Sequence, residues 1–268
     1  MKSVLVTGSN GQLGKSIQKV YKKSAKFDFT FTTSKELDIT NPELIQDFFK
    51  NSNFDYCINC AAYTNVEQAE KEPEKAFEVN AEGVRNLANV CKEKNIILIH
   101  ISTDYVFDGE QIEPYAVNDV PNPINEYGKS KLKGEEYIQE ILTAFFIIRT
   151  SWLYNKEFGK NFYKTIIEKA ETEEVLYITD VQKGCPTNTE NLALFILKLI
   201  VSNDTNFGIF HFTDHEVMTW YDFAKRILIE NKMINKVKLE KVKNYRTFAA
   251  RPKNSTLASE TNILNNEN

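Results

Sequence analysis

Short, uninterrupted apolar runs alternate with longer stretches in which apolar residues recur every three to four positions through the first 150 residues of the chain. The runs at 3–7, 27–32, 56–59, 96–101 and 145–149 predict strands. Between them, helices are predicted at 15–23, from Asn41-Pro42-Glu43 with its proline in the first turn, at 73–92, and from Tyr127 onward. In the third of these, Ala76, Phe77, Val84, Leu87, Ala88 and Cys91 make the apolar stripe. Strands buried on both faces read as continuous apolar runs, so the alternation argues for a doubly wound parallel α/β sheet of Rossmann type. Beyond Trp152 the pattern loosens into helices at 158–170, 190–201 and 220–231 and strands at 175–178 and 208–212. No repeat or low-complexity linker divides the chain, so a smaller α/β domain is expected to be interleaved with the first. Residues 1–150 form the first domain, to which elements near 175–201 return. Residues 151–258 are mainly the second domain, and the polar stretch 259–268 is a frayed tail.

Composition narrows the function classes. The 268 residues, 42% hydrophobic and 26% charged, hold ample core. A net charge of −4 with acids and bases intermixed offers no basic stripe for nucleic acid. The apolar run at the amino terminus is too short for a signal peptide, and the most apolar segment, 192–201, carries Lys198 and reads as a buried helix, not a membrane span. A cytoplasmic protein with neither nucleic-acid nor membrane partners is expected. Cys57-Ile58-Asn59-Cys60 matches C-x-x-C, but in a strand residues three apart point to opposite faces, and zinc needs two further ligands. These thiols, with Cys91 and Cys185, read as reduced and structural, and no metal site is expected.

The candidate chemistry lies where strands end. The first strand runs into Gly8-Ser9-Asn10-Gly11-Gln12-Leu13-Gly14 and then a helix. Such glycines permit a tight turn and close approach to a pyrophosphate, whose oxygens meet the free N–H groups at the helix start. The spacing is G-x-x-G-x-x-G, and the context predicts a dinucleotide site. An NAD-selective site places an acid about 20 residues past the loop; here stand Thr32, Thr33, Ser34 and Lys35, with no acid before Glu36, so a 2′-phosphate is tolerated and Lys35 is placed to attract it. Asp38 reads either as a turn residue or as a contact near the adenine. Ala61, Ala62 and Tyr63 follow the third strand, where small residues let a cofactor lie close. The fourth strand ends in Ser102-Thr103-Asp104-Tyr105. Tyr127 and Lys131, four apart, share a helix face, and an ammonium beside a phenol lowers its pKa toward acid–base use. The same spacing at Tyr221 and Lys225 sits in an ordinary amphipathic helix.

Together the segments 7–14, 37–40, 61–64, 102–109, 127–131, 149–152, 180–187 and 251–255 resemble the extended short-chain dehydrogenase/reductases, and within them the dTDP-4-dehydrorhamnose reductase family, from about Lys2 to Leu257. The resemblance implies NADPH as cofactor, with NADH possible, and reduction of the C4 keto group of dTDP-4-dehydro-β-L-rhamnose to dTDP-L-rhamnose for cell-surface polysaccharide. It implies that Gly11, Gln12 and Leu13 line the cofactor, with Asp38 and Ile39 near its adenine and Ala61, Ala62 and Tyr63 along its ribose and pyrophosphate. It makes Thr103, Tyr127 and Lys131 catalytic. Thr103 would donate to the carbonyl oxygen, while Ser102 faces the other way. Thr103, Asp104, Trp152, Asn161, Thr187 and Arg251 would meet the nucleotide sugar, Trp152 by covering a sugar or base face.

Two departures stand out. Metal-linked dimers of the family carry a glutamate two residues past the third glycine, where this chain has Ser16, so a monomer or weak homodimer without magnesium is expected. The family's tryptophan-bearing carboxyl-terminal helix has no counterpart after Leu257. Two other readings compete: a nucleotide-sugar epimerase or dehydratase, the latter disfavoured because Tyr105 stands where a dehydratase has glutamate, and an NADP-binding regulatory subunit like that of methionine adenosyltransferase.

Overall fold

The computed structural model describes residues 1–21, 26–243 and 247–259; the end of the helix predicted at 15–23 and nearly all of the 259–268 tail lie outside the described residues. Strands β1 (Lys2–Thr7), β2 (Phe27–Phe31), β3 (Tyr56–Asn59), β4 (Ile97–Thr103) and β5 (Phe145–Thr150) alternate with helices α1 (Gln12–Tyr21), α2 (Pro42–Lys50), α3 (Val66–Ala69), α4 (Pro73–Phe77), α5 (Gly83–Lys94) and α6 (Glu126–Ile141). The second half adds strands β6 (Leu153–Tyr154), β7 (Val175–Thr179), β8 (Lys183–Gly184), β9 (Thr187–Asn188), β10 (Gly208–His211), β11 (Met218–Thr219) and β12 (Lys238–Val242). Its helices are α7 (Phe162–Thr172), α8 (Thr189–Ser202) and α9 (Trp220–Glu230).

Six strands form one parallel sheet in the order β10-β5-β4-β3-β1-β2. The strand order reverses between β1 and β3, and in such sheets ligands bind in the crevice beyond the strand ends at that point. Val4, Val6, Ile58, Ile99 and Ile148 pack on one face with Leu13 and Ile17 of α1 and Leu192 and Ile196 of α8. Leu5, Cys57, Leu98 and Ile147 pack on the other with Ile45, Leu87 and Ile138. Burial on both faces is why these strands read as unbroken apolar runs.

The chain crosses repeatedly between its two parts. Within 175–201, α8 packs on α1 beneath the sheet, whereas β7 pairs with β12 in a two-stranded sheet of its own. The pattern of β7 explains this: Leu176 is buried but Tyr177 is exposed, so only one face can be covered. That face joins Tyr163, Ile166, Phe223 and Ile227 in a separate core. β10 then returns as the sixth strand of the main sheet, beside β5.

Two local features hold the site. The predicted helix 73–92 is interrupted by a π turn at Glu78–Glu82. There the buried Asn80 accepts the Tyr63 N–H at 2.9 Å and donates to Tyr63 O and Ser130 Oγ, both at 3.0 Å. One bulge thus fixes a cleft loop and α6 together. Asn125 caps α6 by accepting from Gly128 N at 2.7 Å and donates to Ala250 O at 2.8 Å. One turn beyond Lys131, the buried Glu135 pairs with Arg149 at 2.7 Å and accepts from Ser102, tying α6 to β4 and β5. Removing one partner of so buried a pair costs about 3–5 kcal/mol.

Candidate active site

A cleft of about 670 Å³ opens where β1, β3 and β4 end. Gly8 sits at φ +62°, and a Cβ there would fall 2.6 Å from Ala61 N, so only glycine lets the loop lie against the end of β3. Gly8, Gly11, Gln12, Leu13, Gly14, Asp38, Ile39, Ala61, Ala62, Tyr63, Tyr127 and Lys131 all line this cleft. Asp38 does so while its Oδ1 accepts the Thr40 N–H and hydroxyl at 3.0 and 2.8 Å, so it is a turn residue as well as a lining residue.

Lys35 is exposed and is not among the lining residues; Thr33 and Ser34 are. Glu36, the first acid past these positions, folds back to accept the Thr33 N–H at 2.8 Å and its hydroxyl at 2.9 Å. Those hydrogen bonds hold its carboxyl below the ordinary carboxylate range. A different cation, the exposed Lys160, reaches the cleft beside Gly159. Sequence reasoning missed it because no spacing rule links it to a glycine loop so far upstream. Cys60 also lines the cleft, with its thiol pushed up by burial and therefore uncharged. The four cysteines are free thiols.

Tyr127 and Lys131 line the same cleft, and Thr103 stands at the end of β4 beside them. Lys131 Nζ donates to Ile101 O at 2.7 Å and lies 3.2 Å from His100 Nε2. Burial lowers its pKa to about 8. Burial also pushes the Tyr127 phenol up, Asp104 and Tyr105 add to this, and only the Thr103 hydroxyl opposes it. The expectation of a phenol acidified by its lysine is therefore corrected: in this state the phenol is a firmly protonated acid. The Thr103 hydroxyl donates to Asp104 Oδ1 at 3.0 Å and accepts the Tyr105 N–H at 3.2 Å. To donate to a substrate it must turn away from Asp104. Ser102 points to the helix side and donates to Glu135.

A second cavity, of about 580 Å³, lies under the other part of the chain. Glu67, Phe162, Gln182, Trp220, Thr247 and Arg251 are among its walls. Arg251 donates to Glu67 at 2.6 Å and to the Tyr105 hydroxyl at 3.0 Å, and the Tyr105 ring meets Tyr127 edge-on at 5.9 Å. The cavity is thereby coupled to the phenol. Asp104 is buried beside it in sequence, with Ser151 donating to Oδ2 at 2.9 Å.

The remaining substrate candidates behave differently. Asn161 caps α7, accepting from Lys164 N at 3.1 Å, and spends its amide on Asn155 O, Phe158 O and Gln12 Oε1. Thr187 is fully buried, its hydroxyl donating to Cys185 O at 3.0 Å. Trp152 lies between Gly184 and Trp220, so the indole that walls the second cavity is Trp220. The sequence marked Trp220 only as a helix start, and Glu67 carried no motif at all.

Ser16 is fully buried, donating to Gln12 O at 2.9 Å and lying 2.7 Å from Thr189 Oγ1 and 3.2 Å from Asn155 Nδ2. No cluster of three or more His, Cys, Asp or Glu suited to a metal occurs among the described residues, nor is any described helix long and apolar enough to cross a membrane.

The sequence matches the family described as RmlD substrate binding domain over residues 1–265. It is 37% identical over 267 residues to the dTDP-4-dehydrorhamnose reductase of Aggregatibacter actinomycetemcomitans, covering 96% of this chain and 90% of that protein. Among solved structures it is similar to dTDP-4-dehydrorhamnose reductase from Bacillus anthracis, crystallised in complex with NADP, at 39% identity with a TM-score of 0.92 over 99% of this chain and 94% of that one. The enzyme of the same name from Clostridium acetobutylicum is 39% identical, with a TM-score of 0.91 over 96% of this chain and 90% of that one.

Proposed function

Because the chain belongs to the family described as RmlD substrate binding domain, we propose that it reduces the 4-keto group of dTDP-4-dehydro-β-L-rhamnose to give dTDP-L-rhamnose. The observation that carries this reading is the position of Tyr127, which lines the glycine-loop cleft and is joined through Tyr105 and Arg251 to the second cavity. One cleft suits a dinucleotide, the other a nucleotide sugar, and a proton donor stands between them.

The glycine loop supports the fit of NADPH: the Gly8 turn brings the backbone against β3 with no side chain in the way, and α1 begins within the loop. Gly11, Gln12 and Leu13 would hold its pyrophosphate, Asp38 and Ile39 its adenine end, and Lys131 its ribose. NADPH supplies the hydride when bound. Tyr127 supplies the proton to the oxygen that becomes the new hydroxyl, and a phenol held protonated by burial is suited to that direction of reaction. Thr103 orients the phenol and, with its hydroxyl turned, stabilises the developing negative oxygen. Arg251 and Trp220 are placed to hold the charged and planar parts of the nucleotide, so that remote binding positions the reacting carbonyl. Residues 1–150 with α8 and β10 serve the cofactor, and the parts built on β7, α7 and α9 serve the sugar nucleotide. The same reading includes a cytoplasmic monomer without a metal-linked interface.

The test is NADPH oxidation with dTDP-4-dehydro-β-L-rhamnose generated in place by a dehydratase and an epimerase. Turnover at a rate far above that with the free sugar is expected. No oxidation, with NADPH demonstrably bound, would move the assignment to the regulatory-subunit reading.

A further inference from the structure

A row of buried polar side chains crosses the sheet at one level and ends at Lys131, and its other three members take no part in the reduction as argued above. Thr7, Asn59 and His100 are register partners on β1, β3 and β4, and Lys131 of α6 closes the row. All four are at most 2% exposed.

The hydrogen bonds in this row have a fixed direction. The Ala61 N–H can only donate, and its acceptor at 3.2 Å is Asn59 Oδ1, which also takes the Thr7 hydroxyl at 2.6 Å. That assigns the Asn59 amide group, which therefore presents its NH₂ to His100 Nδ1 at 3.1 Å. Nδ1 must accept, so a neutral imidazole carries its proton on Nε2. An imidazolium is excluded, because its Nδ1–H would face the amide donors. Nε2–H then points at Lys131 Nζ, 3.2 Å away. An ammonium has three donors and no lone pair, so it cannot take that proton, whereas a neutral amine can. Either form donates to Ile101 O at 2.7 Å.

We propose that His100 is a positioning residue that favours the neutral amine of Lys131 in the free protein, so that in mildly alkaline solution Lys131 is uncharged until the anionic dinucleotide enters the cleft and it becomes an ammonium, the proton coming from solvent. This rests on the NADPH site argued above. The surroundings agree. Burial lowers Lys131 to about 8 and keeps His100 neutral. Of the titratable groups around Nζ, Glu135 on the same helix is already shared between Arg149 and Ser102. The Cys60 thiol and the Tyr127 phenol are both raised by burial and uncharged. The dinucleotide therefore brings the negative charge that the ammonium lacks in its absence.

The experiment is calorimetric titration of the full-length protein with NADPH from pH 7 to 9, in pairs of buffers with different ionisation enthalpies. Wild type should take up about one proton per NADPH at pH 9, declining toward zero near pH 7. In His100→Gln a carbonyl oxygen replaces the N–H, the ammonium is favoured before binding, and uptake at pH 9 should fall by at least half. Lys131→Arg, which cannot lose its charge, should show none. A wild-type protein with no uptake at pH 9, or a Lys131→Arg variant with undiminished uptake, overturns the inference even if His100→Gln does not fold. Equal uptake in wild type and folded His100→Gln also overturns it, since a purely structural histidine would weaken binding at every pH without moving the proton count. Uptake without sugar-nucleotide turnover would leave the inference standing and sink the substrate reading; a protein that bound no NADPH would sink both.

Discussion

The indole of Trp152 stacks on that of Trp220 with ring centroids 3.5 Å apart and planes 6° from parallel. Trp152 holds a left-handed backbone, φ +46°, and its ring also covers Gly184, where a Cβ would strike it. The stack holds the cavity wall in place, and an aromatic pair of this kind contributes about 0.5–1.5 kcal/mol beyond area burial. Trp220→Ala and Trp152→Ala should each raise KM for the nucleotide sugar by roughly two- to tenfold. Fluorescence titration should find NADPH affinity unchanged. A loss confined to NADPH binding would contradict the placement of this pair.

Tyr127→Phe removes the proton donor and keeps the ring that meets Tyr105 edge-on. Turnover should fall by about 10²–10⁴ with NADPH binding intact. Tyr221→Phe, on α9 and beside Lys241, should behave as wild type. Steady-state rates within threefold of each other for the two variants would refute the assignment.

Burial pushes the Asp104 carboxyl up from 3.8 to about 6, against hydrogen bonds from Ser255, Ser151 and Thr103. Between those values the folded protein binds the proton and the unfolded chain does not, so this group's contribution to stability falls as pH rises from about 4 to 6 and is constant above. Asp104→Asn should therefore be more stable than wild type at pH 7, by on the order of 1–3 kcal/mol, with the difference vanishing near pH 4. Melting curves at the two pH values decide it; a variant less stable at pH 7 would show that the carboxylate is net stabilising.

Cofactor choice should be less sharp than the turn sequence implies. Lys35 is exposed and outside the cleft wall, and Glu36 is folded onto Thr33. NADPH should be used at least as well as NADH, and Lys35→Glu should lower the NADPH/NADH ratio of kcat/KM by less than about fivefold, since an exposed charge is screened. Lys160→Glu, which alters a cleft residue, should lower it more. The opposite ranking would restore Lys35 as the phosphate anchor.

Ser16 is enclosed by Gln12, Asn155 and Thr189, with no surface to offer a cation. Sedimentation should give the same species with magnesium and with EDTA. A dimer that dissociates on chelation would overturn this.

The sequence by itself determined whatever depends on neighbours along the chain. The glycine loop after β1 and the Tyr127/Lys131 pair one helical turn apart are set by local spacing, and unbroken apolar runs announced a sheet covered on both faces. What only the tertiary structure decided depends on partners distant in sequence. β12 reads as polar, KLEKV, and becomes a strand because β7 needs a partner. Trp220 walls a cavity because it meets Trp152, and Glu67 matters because Arg251 reaches it from the far end of the chain. Above all, spacing could put Lys131 on the same face as Tyr127 but could not say where its flexible side chain ends. His100 and the Ile101 carbonyl decide that, since a buried amine must go where hydrogen-bond partners are.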